Sequence, residues 1–150
     1  MKLPKYQLKA DDELDIYRFV SEGPQGLIPK RIQFSLINQD NVYNLAFGNE
    51  KSVGGELDDL AISNNGDSEK VLATVVASVY AFFDRHSTAW IYFAGSTSSR
   101  TRLYQMAITK YLPELAVDFT IYGEYQEEWQ PFEKGKNYNA FIAHLQASSL

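Results

Sequence analysis

The sequence predicts an α+β fold: a mostly antiparallel sheet of about seven to eight strands with two packed helices, in the order β-β-β-β-α-β-α-β-β-β. Three observations lead there. Segments with period-two alternation, separated by turn residues, fill about the first sixty residues. Two stretches with helical periodicity follow, and a wholly apolar run, Ala89-Trp90-Ile91-Tyr92-Phe93-Ala94, lies between them.

The elements follow in order. Leu14 to Ser21 is rich in strand-forming residues and runs into Gly23-Pro24-Gln25-Gly26, a turn. Arg31-Ile32-Gln33-Phe34-Ser35-Leu36 alternates polar with apolar, as a strand with one wet face does. Asn38-Gln39-Asp40-Asn41 reads as a turn, after which Tyr43, Leu45 and Phe47 share one face of a third strand. Gly54-Gly55 closes the next connection, and Leu60 and Ile62 mark a fourth strand. Short connections of this kind favour antiparallel pairing. Asn64-Asn65-Gly66 breaks the pattern, and Asp67 or Ser68 can cap a helix. Val71, Leu72, Val75, Val76, Val79, Phe82 and Phe83 then fall on one helical stripe, with Thr74, Ala77, Ala81 and Asp84 outside it. The apolar run from Ala89 is expected to be a central strand covered on both faces. A second helix carries Leu103, Tyr104, Met106, Ala107, Ile108 and Tyr111 and is expected to stop around Pro113. Val117 to Ile121 alternates as a strand, Gln126 to Glu128 reads as a turn, and Tyr138 to Leu145 as a last strand.

Composition narrows the function classes. A chain of 150 residues with 45% hydrophobic and 14% aromatic residues is expected to form one domain, residues 1–150, with its own core. There is no cysteine, which removes disulfides, thiolate nucleophiles and cysteine-held metals and fits a reducing compartment. The first residues lack the apolar run of a signal peptide, so a soluble, cytoplasmic protein without membrane contact is expected. The net charge of −5 opposes non-specific binding to nucleic acid. Basic residues gather without acidic ones only between Arg85 and Pro113, as Arg85, Arg100, Arg102 and Lys110.

The leading candidate site is Gly95-Ser96-Thr97-Ser98-Ser99-Arg100-Thr101-Arg102. A glycine and hydroxyls between a strand and a helix place backbone N–H groups at the positive end of the helix dipole, which suits an anion. Arginines in the first turns oppose that dipole, and such departures from local preference mark function or a specific partner. On the helical wheel Arg100 lies within the apolar stripe and Arg102 on the polar face with Gln105 and Thr109. An inward Arg100 also fits a structural ion pair with Asp58, Asp59, Asp67 or Asp118. The segment is neither a Walker A loop nor a dinucleotide fingerprint.

The turn Asn64-Asn65-Gly66-Asp67 near Asp58-Asp59 is the second candidate contact; its spacing is not that of an EF-hand, and no metal is expected there. His86 and His144 have no patterned partner, and no nucleophile elbow surrounds Ser96. Ligand contacts are therefore expected at Gly95, Ser96, Thr97, Arg100, Arg102, Asn64, Asn65 and Asp67, with no catalytic residue and no cofactor.

Tyr43-Asn44-Leu45-Ala46-Phe47-Gly48, Asp58 through Asp67, Lys70 to Val75 and, above all, Gly95-Ser96-Thr97 with Arg100-Thr101-Arg102-Leu103-Tyr104 carry a resemblance, continued at Trp129, Phe132, Tyr138 and Phe141. On these motifs the chain resembles a family of small bacterial proteins catalogued as a domain of unknown function. The resemblance brings no activity, ligand or catalytic residue. The expected function is a non-enzymatic binding or interaction module whose partner is a phosphate-bearing ligand or another protein, with Tyr125 and Trp129 suited to an interface. The alternative is a small nuclease-like or toxin-type enzyme acting on RNA or nucleotides without histidine or cysteine. Sequence leaves the oligomeric state open.

Overall fold

The computed structural model describes residues 4–11, 13–37, 40–50, 66–95 and 97–146, together with the backbone of Leu57–Asp58. The elements are β1 (Lys9–Asp11), β2 (Ile16–Gly23), β3 (Gly26–Leu36), β4 (Val42–Glu50), β5 (Leu57–Asp58), α1 (Ser68–Arg85), β6 (Trp90–Phe93), α2 (Ser98–Asp118), β7 (Phe119–Tyr125), β8 (Glu128–Pro131) and β9 (Ala140–Leu145). The strands pair in the order β1-β2-β3-β4-β6-β9-β7-β8, with β5 on β4, and the sheet is mostly antiparallel. The expected α+β class and element order are found. The short strands β1 and β5 were not foreseen, and the fourth strand expected at Leu60 and Ile62 lies outside the described residues.

The chain forms two compact units, residues 1–35 with 46–85 and residues 36–45 with 86–150. In the first, β2 and β3 make a hairpin that closes at Gly23↔Gly26 around Pro24-Gln25. Gly26 takes φ +91°, a value open to glycine at little cost, and this sets the turn. α1 packs on this sheet where Phe82 stacks on Phe34 at 4.3 Å, and within the same unit Phe19 stacks on Phe47 at 6.2 Å and on Tyr6 at 5.5 Å. Thr74, expected outside the apolar stripe, is fully buried. Its hydroxyl is satisfied twice, accepting from the Tyr6 N–H at 2.8 Å and donating to the Lys70 carbonyl at 2.7 Å. A short polar side chain with both bonds made can enter a core at little cost.

In the second unit, β4 pairs parallel with β6, β6 antiparallel with β9, β9 with β7, and β7 with β8. The β7–β8 connection is two residues, Gln126 and Glu127, both at positive φ, which is the turn type that follows strand twist. α2 lies on one face of this sheet, burying Tyr104, Ala107, Ile108, Tyr111 and Leu115 against Ile91, Phe93, Phe119, Phe141 and Ala143. Phe93 touches Tyr104 at 5.7 Å and Phe141 at 5.3 Å. Gly123 makes room for the Tyr138 ring, because a Cβ there would fall 2.3 Å from it.

Two expectations fail in this unit. α2 does not stop near Pro113 but continues to Asp118, so Val117 and Asp118 are helical and β7 begins at Phe119. Pro113 itself is exposed, while Tyr111 and Leu115 on either side are buried, so packing overrides the local penalty. Nor is β6 covered on both faces: Ile91 and Phe93 are buried, but Trp90 and Tyr92 are only half-buried.

Candidate functional site

The start of α2 is tightly tied to its own chain. Thr97 is the N-cap, and its hydroxyl accepts from the Arg100 N–H at 3.2 Å. The Thr101 hydroxyl accepts from the Gly95 N–H at 2.9 Å and lies 3.1 Å from the Thr97 carbonyl. Gly95 presses so closely on the helix that a Cβ would lie 2.3 Å from the Thr101 nitrogen. That contact is what excludes a side chain at Gly95. Arg100 is buried and Arg102 exposed, as the wheel indicates. The exposed first-turn residues are Ser98 and Ser99, and Ser96 lies outside the described residues. Of the basic window, Arg85 pairs with Asp15 at 2.7 Å.

The second candidate is only partly described. Asn64, Asn65, Asp59 and the side chain of Asp58 lie outside the described residues. Asp67 precedes α1, and its carbonyl accepts the Val71 N–H at 2.9 Å. Its carboxylate Oδ2 accepts from the Tyr6 and Ser21 hydroxyls, each at 2.5 Å. The Tyr6 hydroxyl also accepts from the Glu22 N–H at 2.9 Å, and Lys70 Nζ lies 4.1 Å from the ring centroid. Burial, reinforced by the Asp67 bond, raises the Tyr6 pKa above its ordinary 10.0. Asp67 is thus engaged in fastening residues 4–8 to α1 and β2.

Sequence reasoning also missed a buried charge cluster in the first unit. Arg18 and Arg31 face each other across β2 and β3. Arg18 Nε lies 3.1 Å from both Glu50 carboxylate oxygens, and Arg31 Nη1 lies 3.9 Å from one of them. A carboxylate between opposed cations offsets the repulsion expected of like charges across strands.

The largest departure from expectation is the sheet face of the second unit opposite α2. Directly opposed residues share a face, so register identifies its members. Trp90 pairs with His144, which pairs with Thr120, and Tyr92 pairs with Ile142, which pairs with Tyr122. Glu124 pairs with Trp129 on β8. The rings touch: Trp90 and His144 are 4.1 Å apart between centroids, Trp90 and Tyr122 6.2 Å, and Tyr92 and Trp129 6.2 Å. Trp90, Tyr92, Tyr122 and His144 are half-buried, and Trp129 is 41% exposed. His144 Nδ1 is 2.8 Å from the Leu145 carbonyl, which can only accept. In the neutral ring the proton therefore sits on Nδ1, leaving Nε2 as an acceptor. Of these residues, sequence reasoning singled out Trp129 as an interface candidate. For Trp90 and Tyr92 the signal lay in strand alternation within β6, whose four residues read as buried on both faces.

Among the described residues no group of three or more His, Asp or Glu side chains is placed to hold a metal ion, and no helix is long and apolar enough to cross a membrane. No curated protein and no solved structure matches the chain. One family model does, over residues 2–146, and the chain therefore belongs to the family of unknown function DUF6934.

Proposed function

We propose that this chain is a non-enzymatic interaction module that holds a protein partner against the ring-bearing face of β6, β9, β7 and β8, in a bacterial cytoplasm. One observation carries the reading: five ring side chains share one sheet face, none of them buried, while α2 fills the other face. Tryptophan and tyrosine are enriched at protein interfaces and dominate their energetics. Rings already packed on one another also lose little conformational freedom on binding. A net charge of −5 argues against a polyanionic partner for this face. The start of α2, with exposed Arg102, is kept as a separate and smaller contact for a phosphate-bearing group.

The test is site-specific photo-crosslinking in cells, with a photoreactive phenylalanine in place of Trp129 or, as control, Val117, which is 72% exposed on α2. A discrete adduct at 129, absent at 117 and lost when Tyr92→Ala is added, supports the reading. Equal labelling at both positions, or none at 129, overturns it. Turnover of RNA or nucleotides by the purified protein would favour the enzymatic alternative instead.

A further inference from the structure

We infer that the segment docking on this face is cationic, an arginine- or lysine-bearing stretch of the partner whose positive side chain sits over Trp129 beside Glu124. The inference rests on the proposed binding face and adds the chemistry of its occupant. Glu124 and Trp129 are directly opposed on β7 and β8, so a carboxylate and an indole stand side by side. The Glu124 side chain is half-buried and has no hydrogen-bond or ion-pair partner among the described residues. Glu127 and Glu128, both exposed, close the same hairpin. None of the residues that register places on this face is lysine or arginine.

The negative face of an aromatic ring attracts a cation, and an adjacent carboxylate adds to that attraction. The same hairpin already uses this chemistry on its other side. There Lys136 Nζ lies 5.3 Å from the Tyr125 ring centroid and 2.8 Å from Gln130 Oε1. Trp129 and Glu124 set a ring beside a carboxylate where Tyr125 and Gln130 set a ring beside an amide oxygen, and no described residue that register places on the face supplies a cation. Arginine fits best, because its planar guanidinium can stack on the indole while its N–H groups reach a carboxylate. An acidic net charge of −5 also speeds encounter with a basic segment.

The experiment titrates the full chain with three short peptides of equal length, rich in arginine, lysine or glutamate, at low and high salt. Wild type is compared with Trp129→Ala, Glu124→Gln and the control Met106→Ala, which changes an exposed α2 residue. Thermal melting checks that each variant is folded. The expected result is binding in the order arginine, lysine, glutamate, weakened by salt. Trp129→Ala and Glu124→Gln should each weaken arginine-peptide binding about fivefold, and Met106→Ala should leave it unchanged. Equal binding of all three peptides, or arginine binding insensitive to both face variants, overturns the inference. A crosslinked partner at 129 whose binding ignores Glu124→Gln would keep the binding face and remove its cationic occupant. Failure of both the peptides and the crosslink at 129 would remove both.

Discussion

Replacing Tyr6 by phenylalanine isolates one hydroxyl whose surroundings are fully specified. That hydroxyl donates to the Asp67 carboxylate at 2.5 Å and accepts from the Glu22 N–H at 2.9 Å. The ring packing on Phe19 at 5.5 Å and the backbone bond from Tyr6 to Thr74 survive the change. A hydrogen bond to a charged acceptor contributes about 1.5–3 kcal/mol net. Ser21 still donates to the same carboxylate oxygen, and the exposed Glu22 can bond water, so about 2 kcal/mol is the expected loss. At roughly 2–4 °C per kcal/mol, the melting temperature at neutral pH should fall by about 4–8 °C. The pH dependence supplies a sharper check. Burial and the Asp67 bond raise the folded-state pKa of Tyr6 above 10.0, so the folded protein favours the neutral phenol. That stabilisation is complete below the unfolded-state value and is lost as pH rises through the raised folded-state value. The gap in melting temperature between wild type and Tyr6→Phe should therefore be constant near neutrality and shrink above about pH 10. The assay is circular dichroism melting of both proteins across that range. A gap under about 1 °C at neutral pH would refute the energetic reasoning. A full-sized gap that persists unchanged into strong alkali would refute its link to ionisation.

Other positions yield equally direct tests. Gly95→Ala drives a Cβ into the Thr101 backbone, so the strand–helix junction must shift; a large drop in melting temperature is expected, against none if the close approach is unimportant. Thr97→Ala removes the α2 cap and should cost about 1 kcal/mol by urea titration, while Thr97→Asp should restore most of it. Glu50→Gln leaves Arg18 and Arg31 opposed without their carboxylate and should cost about 3 kcal/mol in the same titration. Arg102→Ala, at an exposed position, should melt like wild type; weaker binding of a phosphate-bearing ligand by this variant would support the contact proposed at α2, and unchanged binding would remove it.

The elements that sequence made legible are those in which local pattern and tertiary demand agree. The β2–β3 hairpin follows from Gly23-Pro24-Gln25-Gly26, and α1 from a stripe that ends in the buried pair Phe82 and Phe83. Arg100 inward and Arg102 outward follow from helical spacing alone. Where the two disagree, tertiary packing decides. Pro113 signals a stop, yet buried Tyr111 and Leu115 carry the helix past it. Thr74 reads as polar surface, yet it is a buried acceptor for the Tyr6 N–H, sixty-eight residues away. Long-range hydrogen bonds of this kind leave no periodic trace in a sequence.

The ring-bearing face was hidden for a more specific reason. Tryptophan and tyrosine count as apolar in any hydropathy pattern, so Trp90-Ile91-Tyr92-Phe93 looks like four core residues in a row. In a strand, successive side chains point to opposite faces, and in β6 Ile91 and Phe93 are buried on one face while Trp90 and Tyr92 are half-buried on the other. The chain uses its two aliphatic or purely aromatic residues, Ile91 and Phe93, on the covered side. It places the two amphipathic rings, Trp90 and Tyr92, on the open side, where an N–H or O–H can remain in contact with water. Burial alternates on β9 as well, where Phe141 and Ala143 are buried and Ile142 and His144 half-buried. Two neighbouring strands that divide their side chains in the same way make a surface built to be half wet. That division is the physical basis for proposing this face, more than the helix start, as a contact surface.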